Sequence, residues 1–162
     1  MLAGMEMEDS HGPESIALRE AAVEDLPRLV QLTRDFYAED GFSAAENDLI
    51  ARFGTFLSQS DANVTVATTP LAIVGFALTT MRLILESGIV AELQDLYVQR
   101  EHRGKGIGTM LIREAARWAR ANSAASLEVV IAPNERDVTH LHRYNAARGF
   151  VDEGRRLIHV DL

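Results

Sequence analysis

The sequence predicts an α/β (α+β) domain, and three observations carry the prediction. Segments of period two, rich in Val, Ile, Thr and Phe, are interleaved with segments of helical period in the order strand, two helices, three strands, helix, strand, helix, strands. Gly104, Gly106 and Gly108 lie between an apolar run ending at Val98 and an amphipathic stretch that begins at once, an order that reads strand, loop, helix. The 162 residues are 47% hydrophobic and 25% charged, which suits one globular domain with a core and leaves no room for a second.

Residues 1–14 are polar, with Gly, Pro and charges and no sustained period, and are expected to form a flexible tail ahead of a single domain over 15–162. Ser15–Glu20 alternates and reads as the first strand. Val23–Ala38 carries Leu26, Leu29, Val30, Leu32 and Phe36 at helical spacing, with Pro27 in the first turn where it is tolerated. Ser43–Leu57 is the second helix, with Ser43 and Glu46 spaced as a capping box. Tyr37–Phe42 between the two helices is a turn with two carboxylates and two aromatics.

Val64–Thr68 and Ala72–Leu85 read as antiparallel strands joined around Pro70, and Gly75 inside the second suggests a bulge or a close backbone approach. Ile89–Val98 is the fourth strand. The helix from about Gly106 to Ala121 should turn Met110, Leu111, Ala115 and Trp118 inward. Leu127–Ala132 reads as a buried strand, and Val138–Arg148 as a helix terminated by Gly149. Phe150–Val151 and Arg155–Asp161 supply the last strands.

Composition narrows the function classes. A net charge of −8 disfavours a general nucleic-acid binder, whose affinity comes from neutralising phosphates, and weakly favours cationic small molecules. With no cysteine there is no disulfide, no thiolate metal site and no acyl-cysteine intermediate. No apolar run approaches the ~20 residues that span a bilayer, and no signal-peptide pattern opens the chain, so no membrane role and a cytoplasmic location are expected. His140 and His142 are two residues apart and do not share a helix face, so no metal site is expected.

The elbow from Leu93 to Trp118 carries the functional signal. Glycine accepts positive φ and lets a ligand approach the backbone closely. A first helical turn leaves outward N–H groups with partial positive charge, where a polyanion fits. Arg100, His102, Arg103 and Lys105 add basic side chains around this loop of an otherwise acidic chain. A Walker loop or a dinucleotide-binding turn would need other glycine spacings, and G-K-G-I-G fits neither.

Arg103-Gly104-Lys105-Gly106-Ile107-Gly108, an R-x-x-G-x-G hexapeptide after the strand ending Asp95-Leu96-Tyr97-Val98, resembles the acetyl-CoA loop of the GNAT superfamily of N-acetyltransferases. The C-terminal RYNAARGFVDEG resembles the last helix of that family and its Gly-Phe ending, and the element order matches over residues 15–162. The resemblance implies a GNAT-like mixed, mostly antiparallel central sheet with helices on both faces, and a splayed strand pair that admits acetyl-CoA. It implies acetyl transfer from acetyl-CoA, as cosubstrate, to the amine of a polyamine, aminoglycoside, amino-acid-like molecule or protein. The competing expectation is a CoA-binding sensor or interaction module with little catalysis. A homodimer is common in the resemblance, and the apolar last strand with its exposed edge is able to support one.

By the same resemblance, Gly104, Lys105, Gly106, Ile107, Gly108 and Thr109 bind the pyrophosphate through the loop and helix start, with Arg103 adding charge. Backbone N–H groups around Leu96, Tyr97 and Val98 stabilise the oxyanion. A lysine-like amine with pKa of about 10.4 needs a proton acceptor. Strict alternation places Glu92, Gln94 and Leu96 on one strand face and Leu93, Asp95 and Tyr97 on the other. Gln94 stands where polyamine-acting relatives carry Glu, and it cannot accept a proton, so Glu92 and Asp95 are the candidate bases. The acid of the relatives is a Tyr four residues before the Gly of the Gly-Phe ending, which here is Asn145. Asn145 can hydrogen-bond the CoA sulfur but supplies no proton, so either Tyr144, one position earlier and about 100° around the helix, reaches as the acid by a shift of the helix, or water does the work, or the transfer is slow. Asn134, eleven residues before Asn145, is a further candidate contact to CoA or substrate.

Overall fold

The computed structural model describes residues 15–131, 138–154 and 160. Five strands form one sheet in chain order: β1 (Ala17–Glu20), β2 (Ala62–Thr68), β3 (Ile73–Ile84), β4 (Gly88–Val98) and β5 (Ser126–Val129). The first four pair antiparallel and β5 runs parallel to β4, so the sheet is mixed and mostly antiparallel, as expected. The helices are α1 (Leu26–Glu39), α2 (Glu46–Ser58), α3 (Ile107–Ala121) and α4 (Thr139–Ala146).

Period-two alternation divides the core between the two faces of this sheet. Leu29, Leu32 and Phe53 of α1 and α2 pack on Val64, Val66, Phe76 and Tyr97. On the other face Ile107, Leu111 and Ala115 of α3 pack on Ala67, Val74, Ala77 and Leu93. Leu29, Leu32 and Leu111 are wholly buried, each contributing about 1.5–3 kcal/mol of transfer free energy. Helices therefore cover both faces, as the resemblance implies.

Several local expectations are corrected. Val23–Asp25 is a separate 3-10 turn ahead of α1. Ser43 does not cap α2: the helix starts at Glu46 behind Ala45, and the Glu46 carboxylate pairs with Arg34 of α1 at 3.0 Å instead. On α3 the buried stripe is Ile107, Leu111, Ile112, Ala115 and Ala119. Met110 and Trp118 flank it and are half-buried. β5 is half-exposed along its length rather than buried. Phe150–Val151 is not a strand, because the Phe150 N–H is spent on the Asn145 carbonyl at 3.2 Å. That bond and Gly149 N–H to Ala146 O at 3.1 Å close the helix end, with Gly149 at φ +87°. Residues 1–14, Asn134 and most of the expected last strand, 155–159 and 161, lie outside the described residues.

Two bulges shape the sheet around the site. Ala67 pairs with Gly75 and Thr68 with Ile73, leaving Val74 as the extra residue of β3. A Cβ on Gly75 would stand 2.7 Å from the Tyr97 carbonyl oxygen and 3.3 Å from Val98 Cα. The bulge and the close approach expected of Gly75 thus occur together, and β4 lies tight against β3 where it leads into the glycine loop. In the second bulge Leu78 pairs with Asp95 and Thr79 with Leu93, so Gln94 is the extra residue of β4.

Candidate active site

The bulge at Gln94 coincides with the end of strand pairing on the other side of β4. β4 and β5 pair from Val90–Ser126 to Leu93–Val129, and beyond that point β4 continues to Val98 with no strand on that edge among the described residues. The Gln99 N–H to Val74 carbonyl bond at 2.9 Å fixes which groups face β3. Because hydrogen-bonded pairs alternate in an antiparallel ladder, the Tyr97 N–H points to β3, whereas the N–H groups of Leu96 and Val98 point into the gap. The edge of β4 beyond its pairing with β5 therefore carries two backbone donors that β3 does not use.

The bulge also rearranges the side chains. Leu93, Leu96 and Val98 all pack toward α3, while Tyr97 packs toward α1 and α2. Strict alternation is therefore broken at Gln94, and Asp95 joins Glu92 and Tyr97 on the α1–α2 face, correcting the expectation that the two candidate bases face opposite ways. Their environments differ. Glu92 hydrogen-bonds Arg82, which also reaches Glu128 of β5 at 2.6 Å. Asp95 is engaged in no hydrogen bond or ion pair among the described residues, and burial alone pushes its carboxyl above the usual carboxylate range. Its charge in turn helps burial raise the nearby Tyr37 phenol. Gln94 donates to Thr80 Oγ1 at 2.7 Å.

The glycines of the loop have separate reasons to be glycine. Gly104 and Gly106 adopt φ +77° and +80°, and Gly106 is the residue from which α3 starts. Gly108 is helical, and a Cβ there would collide with the Tyr144 hydroxyl. Tyr144 is thus brought to the first turn of α3. Arg148 lies over the Tyr144 ring at 3.4 Å from its centroid and donates to Thr109 Oγ1 at 2.8 and 3.1 Å, tying α4 to the start of α3. Thr109, Ile112, Arg113, Ala147 and Arg148 line a cleft of about 260 Å³ beside this contact. Asn145, the residue in the position expected for the acid, is half-buried, and its carbonyl accepts from Arg148 and Phe150.

Arg103 points elsewhere. Its Nη2 donates to both carboxylate oxygens of Glu39 at 2.9 Å and its Nε to the Val98 carbonyl at 2.8 Å. Tyr97 donates to Glu39 at 3.0 Å, and burial together with that bond pushes the phenol up to about 12. Burial opposes ionisation of Glu39, but the bonds from Arg103 and Tyr97 prevail and hold it below the usual range. Glu39 and Arg148 are the two residues at the site that the sequence reading did not single out. Arg148 stands in the C-terminal RYNAARGF segment but the resemblance assigns it no role there, and Glu39, one of the two carboxylates expected in the turn, closes α1 instead. A larger hollow of about 350 Å³ between α1 and the turn to α2 lies away from the loop. No group of side chains suited to a metal ion occurs among the described residues, where His140 and His142 are exposed, and no described helix is long and apolar enough to cross a membrane.

The model of the acetyltransferase (GNAT) family matches residues 19–150. Among solved structures, aminoglycoside N-acetyltransferase AAC(6')-Iy in complex with CoA is similar at TM-score 0.81 and 16% identity, over 93% of this chain and 97% of that one. An integron cassette protein from the mobile metagenome of Cole Harbour Salt Marsh is similar at TM-score 0.79 and 24% identity, covering 90% of each chain. Aminoglycoside 6'-N-acetyltransferase AAC(6')-Ih from Acinetobacter baumannii matches at TM-score 0.75 and 18% identity, over 91% of this chain and 98% of that one.

Proposed function

We propose that this chain, which belongs to the acetyltransferase (GNAT) family, transfers the acetyl group of acetyl-CoA to the primary amine of a small cationic molecule. The observation that carries the reading is the gap opened where β4 leaves β5 at the Gln94 bulge. Backbone donors at Leu96 and Val98, the Asp95 carboxylate, which has no hydrogen bond or ion pair among the described residues, and the glycine loop all belong to the same strand and its exit. The loop suits a polyphosphate, since Gly104 and Gly106 take up the left-handed backbone and α3 starts directly behind them.

In this reading the acceptor amine loses its proton to Asp95. Glu92 is the weaker candidate, because Arg82 holds its carboxylate. The N–H groups of Leu96 and Val98 receive the oxyanion. Residues Gly104 to Thr109 hold the pyrophosphate, and Tyr144 returns a proton to the departing thiolate, with Asn145 beside it. Glu92, Asp95 and Glu128 share or adjoin the acceptor face, which favours a cationic acceptor such as a polyamine, an aminoglycoside or an amino-acid-like amine. The aminoglycoside enzymes of the same fold support that class.

The test is thiol release from acetyl-CoA against polyamines, aminoglycosides, amino acids and lysine peptides, with CoA-induced thermal stabilisation in parallel. Turnover on one amine class and stabilisation by CoA are expected. Stabilisation without turnover would favour a sensor module, and its absence would overturn the loop assignment.

Tyr144→Phe tests the acid. It should lower kcat by about tenfold at pH 7, at the low end of general-acid effects because a thiolate already leaves well. The deficit should shrink above about pH 8.5, where the thiol no longer needs the proton. Unchanged kcat across steady-state profiles from pH 6 to 9.5 would remove Tyr144 from the mechanism.

A further inference from the structure

We infer that Glu39 is a positioning residue for the cofactor loop, acting through the fork of Arg103; the inference rests on the acetyl-CoA reading above. Glu39 is the last residue of α1, where a carboxylate opposes the helix dipole and where the last turn carries no basic residue to offset it. The compensation comes from the β4–α3 elbow. Arg103 binds both of its oxygens and Arg100 approaches to 3.9 Å. Tyr97, only 5% exposed, donates its hydroxyl to the same carboxylate.

The geometry shows what this arrangement does. Arg103 immediately precedes Gly104, and three directional contacts hold it: Glu39, the Val98 carbonyl and the face of Tyr97, whose ring centroid is 5.4 Å from the guanidinium carbon. Its side chain is 42% exposed and that of Glu39 28%, so as an ion pair it adds little to stability. What it does fix is the direction in which the chain leaves β4 and enters the loop. Arg103 therefore serves the loop by bracing it against α1, not by lending charge to the pyrophosphate. Lysine cannot substitute, because one ammonium cannot reach the Val98 carbonyl and grip both carboxylate oxygens together.

This distinguishes bracing from direct phosphate binding. Glu39→Gln and Arg103→Lys should each weaken CoA binding about tenfold, and the double variant should be no weaker than the worse single one. Amide hydrogen exchange across residues 99–110, measured without ligand, should quicken by a similar factor in both. Full CoA affinity in Arg103→Lys would overturn the inference, since a point charge would then suffice. So would unchanged exchange in Glu39→Gln. The exchange arm needs no cofactor, so a wild-type chain that fails to bind CoA would sink the functional reading while exchange still decides the brace.

Discussion

Asp95→Asn should cost about 10²–10⁴ in kcat, the range for a positioned general base, while the melting temperature rises. The two effects have one cause. Asp95 is half-buried beside the bulge, without a hydrogen bond or ion pair among the described residues, and desolvation raises its carboxyl above the usual range. A folded-state value above the unfolded one means that the native state binds more protons. Stability is then greatest below the unfolded value and is lost as pH rises through the folded one. At neutral pH the protein carries a desolvated charge that destabilises it, and Asn removes that charge at nearly equal volume. The wild-type kcat/KM should rise with pH through a step above the ordinary carboxylate range, and the variant should lose that step. Circular-dichroism melts and pH profiles on the same preparations read both effects. Wild-type kcat in Asp95→Asn would return the role to Glu92 through water.

The base assignment marks the boundary of what the sequence can reveal. That β2, β3 and α3 exist follows from local periodicity, although Met110 and Trp118 flank the buried stripe of α3 rather than join it, and the loop is legible because Gly104 and Gly106 need an unusual backbone whatever surrounds them. LQDLYV carries no Gly or Pro to announce a bulge, and it alternates well enough to look regular. The extra residue is dictated by pairing to β3 on one edge and departure from β5 on the other, which is tertiary information. Since a bulge moves every later side chain to the opposite face, missing it placed Asp95 on the wrong side while leaving the strand itself correctly identified. Ser43 failed as a cap for a similar reason. Glu46 was drawn to Arg34 of α1, and α2 begins there. The partnership of Glu39 with Arg103 spans 64 residues and has no sequence signature.

Gly106→Val should weaken CoA binding by more than about 100-fold and leave the fold in place. Gly106 sits at φ +80°, ψ 1°, with its carbonyl accepting the Met110 N–H at 3.0 Å, so it both turns the chain and opens α3. A left-handed conformation costs an L-residue about 1–2 kcal/mol, and a β-branched one more. Valine relieves the strain by rotating the peptide planes on either side, which turns away the N–H groups that would hold the pyrophosphate. Steric crowding is not the cause, because nothing lies within 4 Å of a Cβ at this exposed position. The core is untouched, and at about 2–4 °C per kcal/mol the melting temperature should fall only several degrees. Gly106→Asn separates conformation from bulk. Asparagine tolerates the left-handed region and should keep most of the binding that valine loses. Equal loss in both would mean that any side chain obstructs the ligand, and wild-type affinity in Gly106→Val would show that the polyphosphate lies elsewhere on the chain.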